Sequence, residues 1–373
     1  MGAAGRPDAR SGNGAAAQAA AEEAPAVRSS RLIVKSEVSP PIMRDCSLVR
    51  AACGSSLSVI SAVANGANGA APTATIVLFP GDISAPREEM LRDAQLAKYS
   101  SWSVEGLARR FAARWGANCH IVVVHPPRAV DGHSIYKGWL PNIDDASGDP
   151  IGSYGIPADN GSVRVTACDM LNDSLHAANQ AIGQTSDGLA ASTIHLVAFS
   201  HGTVVLNQIL AELGRCDDPL GGLVDDGTIA TLQSAASFTW LDPGLAREPG
   251  AGILLGGSAL RASLHRMRRC GGNSGNNPRF HIALTPYQLQ PSGWLRWRWR
   301  WSWPPLVRES EASGARRAMQ RVLASEENGN QYGIGGGFDF SSEDCLTGRP
   351  ATLENHFEVL NAFSAPWDVR IVP

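Results

Sequence analysis

Nowhere in the 373-residue sequence do the roughly 18 consecutive apolar residues of a membrane-spanning helix occur. An excess of one charge is also missing. Lysine and arginine total 32 against 35 aspartates and glutamates, and a formal charge of −3 argues against nucleic acid, which needs a concentrated positive surface. Cysteine is sparse: the seven, scattered from Cys46 to Cys345, are odd in number and include no Cys-x-x-Cys pair. Neither a disulfide framework nor a cysteine zinc site is therefore indicated, and a reducing compartment is the natural reading. There is no phosphate-binding P-loop and no His-Glu-x-x-His motif. Gly333-Ile-Gly-Gly-Gly-Phe338 lacks both the third spaced glycine and the preceding strand of a dinucleotide loop, so no cofactor is expected. The N-terminal region lacks the apolar core of a secretory signal, and Asp8, Glu22 and Glu23 spoil a transit-peptide composition.

What is present is a regular alternation. Residues 1–70 read as a disordered tail with weak edge strands at Leu32–Val34 and Leu57–Val63. From residue 71 to 373 the pattern is that of one domain. Continuous apolar runs at Thr75–Phe79, Cys119–Val124, Thr193–Phe199, Ser237–Leu241 and Phe280–Leu284 predict buried strands. Between them, helical spacing predicts helices over Val104–Trp115 (with Ser103 as N-cap), Met170–Ile182 and Val204–Leu213. Past residue 290 the signal weakens to a helix-like stretch near Glu309–Ala324, a strand near Phe338–Phe340 and a closing helix near His356. Such alternation implies a mostly parallel sheet with helices on both faces, an α/β class in which ligands bind at the strand C-termini.

Chemistry gathers on that rim. Ala198-Phe199-Ser200-His201-Gly202 lies directly between a strand and a helix, the setting of a nucleophile elbow. The elbow needs small residues two before and two after the serine, and Gly202 and Ala198 supply them. Ser200 is then the nucleophile, although serine also caps helices. The His201 N–H becomes one oxyanion donor. The Gly81-Asp82 loop after the first strong strand supplies the other, with the Asp82 side chain required to turn elsewhere. The acid is placed at Asp242, which ends the Ser237–Leu241 strand; Glu354 and Asp344 are rivals nearer the base in sequence. The base is placed by elimination at His356, since His120, His195 and His281 fall inside strands and His201 points away.

At these residues the chain resembles the chromosome 2 open reading frame 69 family of mitochondrial, α/β-hydrolase-like proteins. The stretches that carry the resemblance include Phe79-Pro-Gly-Asp82, Trp102-Ser-x-Glu105 and Phe199-Ser-x-Gly202 with Val204-Val-Leu-Asn-Gln208. Trp240-Leu-Asp242, Thr285-Pro-Tyr-Gln288 and Glu354-Asn-His-Phe357 complete a colinear set. The resemblance implies a hydrolase fold, a triad on Ser200, Asp242 and His356, and mitochondrial residence; without it the chain would read as cytoplasmic. Two departures stand out: Ala198 where the family has glycine, and His201 where lysine is common.

The expected activity is hydrolysis of an ester or thioester with an acyl or lipid-like group. The rival from another class is a catalytically silent hydrolase fold serving as a mitochondrial binding or assembly protein. An Arg/Trp-rich insert at about 291–307 places Trp297, Trp299, Trp301 and Trp303 on one face of an extended ribbon. It is open to three readings: a structural insert with arginines stacked on tryptophans, a lid, or a peripheral membrane contact.

Overall fold

The computed structural model describes residues 42–50, 56–63, 73–115, 118–126, 128–130, 133–145, 148–151, 154, 166–181, 193–215, 231–232, 234–243, 260, 262–264, 278–289, 340–350 and 352–365. All lie in the compact unit Ser39–Pro373. Among the described residues ten strands are seen: β1 Ile42–Arg50, β2 Ser56–Val63, β3 Ala74–Phe79, β4 Asn118–His125, β5 Arg128–Val130, β6 His133–Ile135, β7 Thr193–Phe199, β8 Ala235–Leu241, β9 Arg279–Leu284 and β10 Phe340–Asp344. The helices are α1 Arg87–Arg92, α2 Val104–Trp115, α3 Ala167–Ala181, α4 Thr203–Arg215, α5 Pro286–Leu289 and α6 Leu353–Ala362. Eight strands form one sheet in the order β1-β2-β4-β3-β7-β8-β9-β10, and β5 and β6 form a separate hairpin. From β4 to β10 every neighbouring pair is parallel, whereas β2 runs antiparallel to both β1 and β4. With helices packed on both faces, this is an α/β-hydrolase-like fold.

The apolar strands are continuous because both faces of the sheet are covered. In β3, Ile76 and Leu78 point to one core with Val104, Leu107 and Phe111 of α2 and Phe357 and Leu360 of α6. Val77 and Phe79 point to the other, with Leu171 and Leu175 of α3 and Leu206 and Ile209 of α4. The same alternation divides Val197 and Phe199 from Leu196 and Ala198 in β7. A strand buried on one side alone would alternate apolar with polar; these do not.

The starts of two helices are satisfied by side chains. Ser103 Oγ accepts the Gly106 N–H at 3.1 Å, opening α2 as its sequence predicts. The start of α3 is capped from outside: the buried Glu212 carboxylate of α4 accepts the Ala167 and Cys168 N–H groups at 3.0 and 2.9 Å. Burial still pushes the Glu212 carboxyl above its ordinary value, against those hydrogen bonds and one from Gln208. Among the described residues no helix is long and apolar enough to cross a membrane.

Three features differ from expectation. The sheet begins at Ile42, ahead of the boundary at residue 71. Leu57–Val63 forms most of β2, but its partner β1 (Ile-Met-Arg-Asp-Cys-Ser-Leu-Val-Arg) was not expected. An edge strand carries charges and has no continuous apolar run, and this one shifts register between Cys46 and Val49. The β5–β6 hairpin falls in a stretch read only as a long connection, although Asp131-Gly132 between the strands is a two-residue turn signature. The last strand lies at Phe340–Asp344, slightly past Phe338–Phe340. Leu32–Val34, the stretch Glu309–Ala324 and the tryptophan segment at 291–307 all lie outside the described residues.

Candidate active site

Phe199 ends β7 in an extended conformation, and Ser200 then turns into the left-handed region with φ 51°. A non-glycine residue held there costs on the order of 1 kcal/mol or more, so packing must impose it. The next turn explains how. Ser200–Gly202 form one 3-10 turn that runs straight into α4, and Thr203 Oγ1 donates to the Ser200 carbonyl at 2.6 Å. A Cβ on Gly202 would lie 2.1 Å from the Phe79 carbonyl oxygen, so only glycine lets β3 and the turn meet. The position two before the serine is less constrained: the Ala198 methyl is fully buried in the α3/α4 core without disturbing the turn.

The Pro80-Gly81-Asp82 loop lies directly against the serine. A Cβ on Gly81 would sit 2.6 Å from Ser200 Cβ and 3.1 Å from Ser200 Oγ. The loop is anchored from below by the buried Tyr136, whose hydroxyl donates to the Pro80 carbonyl at 2.6 Å. The side chains of Asp82 and His201 face one another. His201 Nε2 lies 2.9 Å from the Gly148 carbonyl and must donate to it, because a carbonyl only accepts. Its Nδ1 is 3.8 Å from Asp82 Oδ1 and 4.0 Å from Asp149 Oδ1. The Asp82 carboxylate, awkward beside an oxyanion, is thus directed at the His201 ring.

Asp242 and His356 meet although 114 residues separate them: His356 Nδ1 and Asp242 Oδ2 are 2.6 Å apart. Asp242 follows β8 with φ 43°, is fully buried, and donates its N–H to the Ala283 carbonyl at 2.8 Å. Its carboxylate accepts two further bonds from one residue, the Thr285 N–H to Oδ1 at 2.8 Å and the Thr285 hydroxyl to Oδ2 at 2.5 Å. His356 is 4% exposed and lies in the first turn of α6, which Thr352 caps. Since Asp242 accepts at Nδ1, Nε2 is left as the basic nitrogen. The imidazole is flanked by two rings, Phe199 at 4.6 Å and Tyr287 at 4.5 Å between centroids. Phe199 immediately precedes Ser200, so the His356 ring lies beside the turn. Of the rival acids, Glu354 is exposed and 3.5 Å from the Tyr99 hydroxyl, and Asp344 closes β10 in solvent.

The strand histidines are buried, as expected of structural residues. His195 pairs with Ser237 Oγ at 2.9 Å, and His281 spans Ser341 Oγ and Glu343 Oε1 at 2.7 and 3.1 Å. Burial works to raise the Glu343 carboxyl, but bonds from His281 and the Ser364 N–H outweigh it and hold it below its usual value. Sequence reasoning gave no role to Thr285, Tyr136 or Tyr287. Thr285 had a signal, since it directly follows β9 on the same rim as Ser200 and Asp242. Tyr136 had none, lying beyond an unrecognised hairpin. Among the described residues no cluster of His, Cys, Asp and Glu could hold a metal ion.

A curated relative, the mitochondrial protein C2orf69 homolog of Danio rerio, is 26% identical over 302 residues, covering 77% of this chain and 72% of that protein. Its name agrees with the mitochondrial residence implied by the sequence resemblance. Among solved structures, the siderophore hydrolase EstB from Aspergillus nidulans has 10% identity and a TM-score of 0.40, covering 84% of this chain and 91% of its own. The S-formylglutathione hydrolase FrmB from Staphylococcus aureus has 10% identity and a TM-score of 0.36, covering 80% and 90%. These two are distant likenesses of chain path. The C2orf69 family model matches residues 53–147 and 153–264, more than half of the chain, and the protein belongs to the C2orf69 family.

Proposed function

We propose that the protein is a mitochondrial serine hydrolase acting on an acyl ester or thioester. The observation that carries this reading is the buried Asp242–His356 hydrogen bond of 2.6 Å, set beside a serine in a left-handed elbow. Helix capping alone would require neither the positive φ of Ser200 nor a glycine pressed against its side chain.

In this mechanism Ser200 Oγ bonds to the acyl carbon while its proton passes to His356 Nε2. Asp242, holding Nδ1–H, stabilises the imidazolium that forms. Backbone N–H groups of His201 and of the Gly81-Asp82 loop receive the carbonyl oxygen as it becomes an oxyanion; one such donor is typically worth about 3 kcal/mol. The alkoxide or thiolate leaves with the proton from His356. Water then repeats the sequence on the acyl-enzyme, releasing a carboxylic acid and restoring the serine.

A fluorophosphonate probe tests this directly. The expected result is a stoichiometric adduct on Ser200, absent in Ser200→Ala and at least about a hundredfold slower in His356→Gln. Folded protein that takes no adduct at Ser200 would instead favour the catalytically silent scaffold.

A further inference from the structure

We propose that Thr285 is a positioning residue for the acid–base pair: donating both its amide and hydroxyl protons to Asp242, it fixes which carboxylate oxygen faces His356. The role rests on the hydrolase reading, in which Asp242 and His356 relay the serine proton.

The directions of the hydrogen bonds carry the argument. Thr285 Oγ1 accepts the Tyr287 N–H at 3.2 Å, which leaves its own proton to point at Asp242 Oδ2, 2.5 Å away. Oδ2 therefore receives two donors, the threonine hydroxyl and His356 Nδ1–H, while Oδ1 is held by the Thr285 amide at 2.8 Å. A carboxylate pinned at both oxygens cannot rotate about its Cβ–Cγ bond. The acceptor for Nδ1–H then has one direction, and the ring has one tautomer, with Nε2 free. The same segment closes the site further, because Gln288 Nε2 donates to the Asp242 carbonyl at 3.5 Å and the Tyr287 ring lies on the imidazole. Thr285 is fully buried, so water cannot replace its hydroxyl.

A second effect is electrostatic. A hydroxyl donating to Oδ2 spreads part of the carboxylate charge that would otherwise stabilise the imidazolium. Thr285 therefore sets both the direction of the acceptor that faces His356 Nδ1 and how its charge is shared. Other ionisable groups lie near the pair. Cys345, at the end of β10, is pushed up to about 12 by burial and by Glu343, Asp242 and Asp344, and stays a neutral thiol. Tyr287 comes from α5, and Glu354 on α6 is turned toward Tyr99.

The test compares Thr285→Val, which keeps the shape and the amide bond, with Thr285→Ser, which keeps the hydroxyl. Two readouts are taken: the pH dependence of fluorophosphonate labelling, and the titration of the His356 ring by NMR in histidine-labelled protein, assigned through His356→Gln. Thr285→Val is expected to label on the order of tenfold more slowly at the plateau. Its acidic limb and the His356 protonation midpoint both move to higher pH, while Thr285→Ser tracks the parent protein. Should Val not fold at this position, Thr285→Ala is read in the same way. Parental labelling together with an unmoved His356 titration in Thr285→Val overturns the proposal, as does a serine variant that behaves like the valine one. If the parent protein takes no adduct while the His356 titration still moves, the hydrolase reading fails and the positioning role stands.

Discussion

At the scale of single residues, the elbow depends on atoms that are absent. Gly202→Ala would drive a methyl to 2.1 Å from the Phe79 carbonyl, and since that neighbour is backbone, something must move. The expected outcome is a loss of about 2 kcal/mol or more in thermal unfolding, together with loss of labelling at Ser200. Gly81→Ala would press its methyl to 2.6 Å from Ser200 Cβ, an atom fixed to the backbone of the elbow. That variant should therefore lose stability as well as label poorly. Ala198→Gly is the instructive control. Glycine at this position removes a methyl buried in the core, so stability should drop by about 1 kcal/mol with no gain in labelling rate. The Ala198 departure therefore bears on packing and leaves the turn as it is.

At the scale of elements, α6 brings His356 to the site and has to be held. Arg114 of α2 holds its far end: Nη1 donates to the Asn361 and Leu360 carbonyls at 2.7 and 3.4 Å, and Nη2 donates to Phe363 at 2.5 Å. The guanidinium also lies 4.3 Å from the Trp115 ring and 5.1 Å from that of Phe363. Arg114→Ala is expected to cost on the order of 1 kcal/mol and to speed amide exchange along Leu353–Ala362, with Arg114→Lys recovering part of the loss. The near end is fixed by rings, Trp102 stacked on Phe357 at 5.2 Å and Tyr99 beside it at 5.5 Å. This scale also marks how far the sequence could be read. Five strands buried on both faces announced themselves as apolar runs, and the amphipathic helices α2, α3 and α4 followed from spacing. Ser200 stood out from its local strand-to-helix setting, and Asp242 was singled out because a strand end is a rigid position. His356 emerged only by elimination, since nothing near Leu353–Ala362 says that its first turn packs against Phe199. β1, the hairpin and the Thr285 contact were harder still, because edge pairing and a bond across 43 residues leave little periodic trace.

At the scale of the whole molecule, buried histidines make acid tolerance predictable. His120, His125 and His195 are each lowered from 6.5 to about 4 by burial, helped at His195 by Arg279 and opposed at His125 by Glu105. In the unfolded chain these rings take up protons near pH 6.5; in the fold they resist until about 4. Between those limits the unfolded state binds more protons, so stability is fully present above the window and is lost as pH falls through it. Each ring contributes up to about 1.4 kcal/mol per pH unit. Glu212 acts in the opposite sense, since its raised carboxyl protonates more readily in the fold. Three rings outweigh one carboxyl, and the melting temperature should fall clearly between about pH 7 and pH 5. A His195→Gln variant should show a shallower decline over the same range.

The aromatic bed beneath α6 has a bearing on quality control. Tyr99, Trp102 and Phe199 all leave the ribosome well before Phe357, the ring that covers them, has been made. A message cut short ahead of Leu353 would thus encode a protein with these rings facing water, a sticky surface of the kind that chaperones retain and proteases clear. Such truncation is expected to show itself as scarcity of the polypeptide in the cell, before any question of turnover arises.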